Sequence, residues 1–151
     1  MIYYFAYGSN LDALQMRERC PDCRLVVAGR LSGYRLGFTR HSSGWNCGVA
    51  DILPSDGREV WGLVYELLPG DLDLLDQYEG CPHAYSRFET TITANGRSLP
   101  LVWVYSVREK RNFVPPSQAY LAILKRAARE HGFPDSYLRE LEEIPIKDFL
   151  N

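Results

Sequence analysis

Apolar and polar positions change rhythm several times along the chain, and each change predicts an element. Ile2 to Ala6 is an apolar, aromatic run that predicts a strand. It passes directly into Tyr7-Gly8-Ser9-Asn10, a small glycine-containing turn, and then into a short helix from Leu11 to about Arg19. Asn10 is the expected N-cap of that helix, Asp12 suits its first turn, and Pro21 lies beyond its end. Two β-segments come next, Arg24 to Leu31 and Tyr34 to Thr39, separated by Ser32-Gly33. Val49 to Pro54 and Glu59 to Leu67 predict a hairpin across Ser55-Asp56-Gly57-Arg58. Arg87 to Ala94 and Arg97 to Val107 predict another across Asn95-Gly96, with Pro100 marking an edge or a bulge.

Helical spacing appears in three further places. A short helix is predicted between Asp71 and Gly80. Ser117 caps a longer one whose Tyr120, Leu121, Leu124, Ala127 and Ala128 share an apolar face, and Gly132 with Pro134 stops it. Another short helix starts near Asp135. About seven strands, mostly joined by hairpins and interrupted by short helices, predict an α+β fold around a closed or nearly closed mixed sheet. No linker or internal repeat breaks the chain, so residues 1–151 are expected to form one domain.

Composition narrows the function. Seventeen basic and nineteen acidic residues give a net charge of -2 with no run of like charge, which argues against a nucleic-acid partner. No apolar run approaches the roughly 20 residues that span a membrane, and no signal peptide is evident, so a cytoplasmic location is expected. Cysteines stand at 20, 23, 47 and 81. Only Cys20 and Cys23 have a motif-like spacing, whereas structural zinc usually takes two such pairs, so reduced thiols and no metal are expected.

Candidate chemistry starts from a carboxylate on an apolar stripe. Leu68, Leu72 and Leu75 step by four and three, and the next residue on that face is Glu79. A glutamate there points inward, in a last turn where the helix dipole disfavours negative charge, before the expected C-cap Gly80. Both effects raise its pKa towards neutrality, where a carboxyl works as general base or acid. The competing reading leaves Glu79 in solvent or paired with Arg87. Asp76 flanks the stripe as a second candidate, while Asp71 and Asp73 read as solvated first-turn residues.

The opening turn offers a different resource. Strand, glycine bend and helix start can aim backbone N–H groups at an anion. Ser9 as a nucleophile is disfavoured, because the flanks lack the two-glycine elbow pattern and His41, His83 and His131 have no recognisable spacing to it. Tyr120, in the first turn of the long helix, reads from the pattern as core packing, as do Trp45, Trp61 and Trp103.

Four ordered motifs then carry a resemblance. Phe5-Ala6-Tyr7-Gly8-Ser9-Asn10-Leu11, Val60-Trp61-Gly62-Leu63-Val64-Tyr65, Leu75-Asp76-Gln77-Tyr78-Glu79-Gly80 and Pro116-Ser117-Gln118-Ala119-Tyr120 resemble the γ-glutamylcyclotransferase-like family, in its AIG2-like and butirosin-deprotecting branch. The resemblance covers nearly the whole chain. It implies a small mixed β-barrel with surrounding short helices and no metal or organic cofactor. It also implies Glu79 as the catalytic residue and a substrate site made of Tyr4, Phe5, Ala6, Tyr7, Gly8, Ser9, Asn10 and Tyr120. The implied partner is a small-molecule γ-glutamyl amide, cyclised to pyroglutamate with release of an amine. A γ-glutamylamine-specific enzyme and a non-catalytic binding module on the same fold are the alternatives. The segment Gly80 to Arg87 leaves the leaving group open, and exposed aromatics leave room for a homodimer without marking its interface.

Overall fold

The computed structural model describes residues 1–147. Five strands close into a barrel in the order β1-β3-β2-β4-β5, where β1 is Ile2–Ala6, β2 Arg24–Ser42, β3 Cys47–Leu67, β4 Tyr85–Ala94 and β5 Arg97–Val107. Closure comes from a short parallel pairing of Tyr3 with Val102 and Tyr4 with Trp103, while the other pairings are antiparallel. Four helices surround the sheet: α1 Ala13–Arg19, α2 Asp71–Glu79, α3 Gln118–Glu130 and α4 Asp135–Glu142. The expected mixed barrel with short helices is therefore the observed architecture.

The strand count differs from the expectation for a local reason. Predicted segments on either side of Ser32-Gly33 belong to one strand, β2, and those on either side of Ser55 to Arg58 belong to β3. Val49 to Pro54 and Glu59 to Leu67 do not form a hairpin with one another; each pairs with a different half of β2. Ser32 faces Glu59 and Tyr34 faces Pro54, so residues 55–58 bulge opposite the single residue Gly33. Both Gly33 and Gly57 take positive φ there, 86° and 76°, which bends the pair sharply without ending it. The true turn of this hairpin is at residues 43–46, closed by the Asn46 N–H donating to Ser42 O.

The second predicted hairpin is present. Asn95 and Gly96 both have positive φ, as a type I′ turn requires. Pro100 lies in a bulge: Thr90 faces Val102 and Ile92 faces Leu99, leaving Pro100 and Leu101 opposite Thr91. Near the N-terminus the helix start is shifted. Ser9–Leu11 forms one 3₁₀ turn, and the cap of α1 is Asp12, whose side chain accepts from the Leu14 N–H, in place of Asn10.

Apolar burial ties these elements together. Phe5, Leu31, Val60, Val64, Ile92, Val102 and Val104 are completely or almost completely buried. Full burial of one such side chain contributes about 1.5–3 kcal/mol. The predicted face of α3 covers the same core, and Ser117 caps that helix by accepting from the Tyr120 N–H. Below the core lies a buried charge. Asp51 accepts from Thr39 Oγ1, the backbone N–H groups of Ile52 and Val107, and Lys110 Nζ, at 2.7–2.9 Å. Four donors meet its lone pairs, fastening β3 to β2 and to the end of β5.

Candidate active site

One end of the barrel opens into a cavity of about 510 Å³, within the range of small-molecule sites. Its wall begins where β1 ends. Tyr4 reaches it with a hydroxyl that accepts from Asn10 Nδ2 at 3.0 Å. Asn10, only 3% exposed, in turn accepts on Oδ1 from Gln15 Nε2 and Arg19 Nη1 at 2.9 and 3.1 Å. An asparagine so committed cannot cap a helix. It holds the turn to α1 and brings Arg19 to the cavity.

The turn packs on Tyr120. A Cβ on Gly8 would lie 2.9 Å from Tyr120 Oη and 3.2 Å from Ala50 Cβ, so glycine is what lets this backbone approach. Tyr120 Oη accepts from the Ala50 N–H at 3.0 Å, and the ring stands edge-on to Trp45 with centroids 5.2 Å apart. Its own hydroxyl proton remains to be donated.

Glu79 lines the same cavity and is linked to the turn through Arg19. It is the last residue of α2, and Gly80 follows in the left-handed conformation at φ 64°, ψ 32°. Leu72 and Leu75 are buried on the face that carries Glu79 inward, whereas Leu68 precedes the helix and is exposed. The Glu79 side chain is 18% exposed and lies 3.9 Å from Arg19 Nη1. Burial raises its pKa from 4.5 to about 7, with Arg19 acting in the opposite sense. It does not pair with Arg87. That arginine donates to Asp76 Oδ1 at 2.8 Å and stacks on Trp103, and Tyr105 donates to the same carboxylate oxygen at 2.6 Å.

Around Glu79 stand phenols. Burial pushes Tyr4, Tyr7, Tyr85, Tyr105 and Tyr120 above the ordinary tyrosine range, so they serve as neutral hydrogen-bonding groups. The cavity therefore combines a carboxyl titrating near neutrality, a backbone turn and neutral hydroxyls. That combination suits proton transfer at a polar substrate.

Comparison with known proteins agrees with this geometry. Residues 59–141 match the AIG2-like family. The γ-glutamylcyclotransferases of Bos taurus and Homo sapiens are each 32% identical to the chain, over 97% of it and 80% of their own length. A solved structure described as a gamma-glutamyl cyclotransferase superposes with a TM-score of 0.91 at 30% identity, covering 99% of this chain and 91% of the other. The chain belongs to the γ-glutamylcyclotransferase family of AIG2-like proteins. It is an enzyme of that type.

In this family member the structure brings together Tyr4, Tyr7, Gly8, Ser9, Asn10, Glu79 and Tyr120 around one cavity. Phe5 and Ala6 are excluded from it. Both are wholly buried, because neighbouring strands cover β1 on its way to the turn. Asp71 is also buried and not solvated: its carboxylate accepts from the Leu68 N–H at 2.9 Å and shapes the entry to α2. Trp45 borders the cavity in addition to packing on Tyr120, while Trp61 packs on Phe133.

Sequence reasoning missed Arg19, Arg40, Tyr85 and Tyr105, all of which line the cavity. Arg19 is nine residues after Asn10, and only the short helix between them makes the two meet. Tyr85, Tyr105 and Arg40 come from strands whose facing depends on barrel closure, so no local period announces them. Among the described residues no cluster of three His, Cys, Asp or Glu could hold a metal, and the four cysteines are free thiols. No helix of the described residues is long and apolar enough to cross a membrane.

Proposed function

We propose that this enzyme is a γ-glutamyl cyclotransferase that converts a γ-glutamyl amide to pyroglutamate (5-oxoproline) and a free amine, with Glu79 as general base and acid. The observation that carries this reading is Glu79 itself, a carboxyl with a pKa raised to about 7 in the cavity that the Gly8 turn also lines. Relatives named γ-glutamylcyclotransferase support the reaction class.

The chemistry needs no enzyme nucleophile. Ionised Glu79 takes a proton from the substrate's α-ammonium, and the freed amine attacks the γ-carbonyl carbon. A ring C–N bond forms and the carbonyl oxygen becomes an oxyanion. Glu79 delivers its proton to the amide nitrogen, the original C–N bond breaks, and the carbonyl is restored. Glu79 then moves the ring nitrogen's second proton to the departing amine, which leaves as an ammonium. Atoms and charge balance without water. One carboxyl serves every transfer because both nitrogens are bonded to the same carbon, and a pKa near the working pH suits both directions.

Positioning supplies the rest. The Tyr7–Asn10 turn offers backbone N–H groups to the α-carboxylate or to the oxyanion, and one such oxyanion donor typically contributes about 10²- to 10³-fold in turnover. Tyr120 borders the glutamyl pocket and donates its hydroxyl proton to the ligand. Holding the extended γ-glutamyl chain folded for ring closure gains from proximity.

The test is mass-spectrometric detection of pyroglutamate after incubation of wild type and Glu79→Gln with a panel of γ-glutamyl-amino acids and γ-glutamylamines. Product from wild type alone is expected. Substantial product from Glu79→Gln would remove Glu79 from the chemistry, and no product from wild type with any compound would refute the reaction.

A further inference from the structure

Two arginines reach the cavity, and they are not equivalent. Arg19 already has partners: it donates to Asn10 Oδ1, faces Glu79, and lies over the Tyr78 ring at 4.7 Å. Arg40, half-buried near the end of β2, pairs through its backbone strand with Val49, but its side chain makes no hydrogen bond or ion pair with any described residue. A cavity arginine whose donors face no protein acceptor is available to pair with a bound anion. Its neighbours along that wall are Ser42, Ser43, Gly44 and Trp45, the tip of the β2–β3 hairpin, which is hydroxyl-bearing and aromatic and contains no carboxylate. Glu79, Arg19 and Asn10 form a separate linked group with the Tyr7–Asn10 turn. Tyr85, which lines the same cavity, feels both charges, Glu79 raising its pKa and Arg40 lowering it.

We infer that Arg40 is the specificity residue for the departing half of the substrate, binding a carboxylate on the leaving amine against the β2–β3 hairpin tip. The inference rests on the proposed cyclotransferase reading. If the γ-glutamyl half occupies the turn, the amide nitrogen lies by Glu79 and the remaining chain extends towards Arg40. A planar guanidinium takes a carboxylate with two parallel hydrogen bonds, which a neutral amide or a bare amine cannot reproduce. On this reading Arg40 is the residue by which the site tells a γ-glutamyl-amino acid from a γ-glutamylamine.

The deciding pair of compounds is γ-glutamyl-alanine and γ-glutamyl-alaninamide, alike except for the charge at that end. Wild type should prefer the acid in kcat/KM by roughly 10- to 100-fold, the range for a hydrogen bond to a charged group. In Arg40→Gln the acid-to-amide ratio should fall to near one, and Arg40→Lys should keep part of it by retaining the charge. A ratio near one in wild type, or a ratio retained in Arg40→Gln, would overturn the assignment. A retained ratio with both kcat/KM values lowered alike would instead place Arg40 on the substrate's own α-carboxylate, and a retained ratio with both unchanged would give it no part in binding. Calorimetric binding of both compounds to Glu79→Gln, with and without Arg40→Gln, separates this from the reaction itself. Tighter binding of the acid that depends on Arg40, without turnover in wild type, would uphold the subsite and refute the cyclotransferase reading. Equal binding of acid and amide, or binding of neither, would refute the subsite whatever the turnover.

Discussion

Replacing Glu79 by glutamine should stabilise the protein above neutral pH while removing its turnover. In the unfolded chain this carboxyl ionises around its ordinary 4.5; in the folded protein burial raises the value to about 7. Between these two values the unfolded state sheds the proton first. Folding stability from this group therefore falls as pH rises from about 4.5 to about 7, and the loss is complete above that. At about 1.4 kcal/mol per pH unit, the full loss is about 3 kcal/mol. Solvent screening is limited, since the side chain is 18% exposed. Glutamine keeps the shape and carries no charge, so Glu79→Gln should gain up to about 3 kcal/mol relative to wild type at about pH 8 compared with about pH 4. For a chain of this length that corresponds to a change of roughly 6–12 °C in the Tm difference. Urea or thermal denaturation of both proteins across that pH range measures it. A stability difference that does not change with pH would mean that Glu79 titrates normally, and the general-base argument would lose its physical basis.

The same contacts set three further outcomes. Arg19 lowers the Glu79 pKa, so Arg19→Gln should move the acid limb of the kcat/KM profile to higher pH; an unmoved limb would separate Arg19 from that titration. Gly8→Ala sets a methyl 2.9 Å from Tyr120 Oη, and displacing that ring should lower kcat/KM by about 10²-fold; wild-type kinetics would show that the turn does not position substrate. Asp51→Ala strips Lys110 and three other donors of their acceptor and should cost about 3–5 kcal/mol in urea denaturation, and a loss under about 1 kcal/mol would show the network to be dispensable.

Much of the candidate site was legible because its signals are local. Leu72 and Leu75 set the phase of α2, and three or four residues suffice to carry that phase to Glu79. Asn95-Gly96 selects its own turn through positive φ, and Gly132 ends α3 for the same reason. The Gly8 bend was visible in the sequence as a glycine in a polar turn, although its close neighbour, Tyr120, is 112 positions away and could be matched to it only through the family resemblance.

What the tertiary structure decided was facing and partnership. Ser32-Gly33 and Ser55 to Arg58 look like turns in isolation, yet β2 and β3 run through them because the long antiparallel pairing continues on both sides and the extra residues are expelled as a bulge. Asn10 has the residue type of a helix cap, but Tyr4, Gln15 and Arg19 converge on it and that role passes to Asp12. Phe5 and Ala6 share a motif with Tyr7 and Gly8 and still do not reach the cavity, since strand pairing buries them. Sequence by itself thus determined the periodic elements, the inward carboxylate and the glycine turns, all governed by backbone preferences within a few residues. Closure of the barrel decided which charges meet: it left Asp76 paired with Arg87, Glu79 facing Arg19, and Arg40 in the cavity without a counter-charge among the described residues. Such pairings depend on strand register across the whole chain, and no local pattern encodes register.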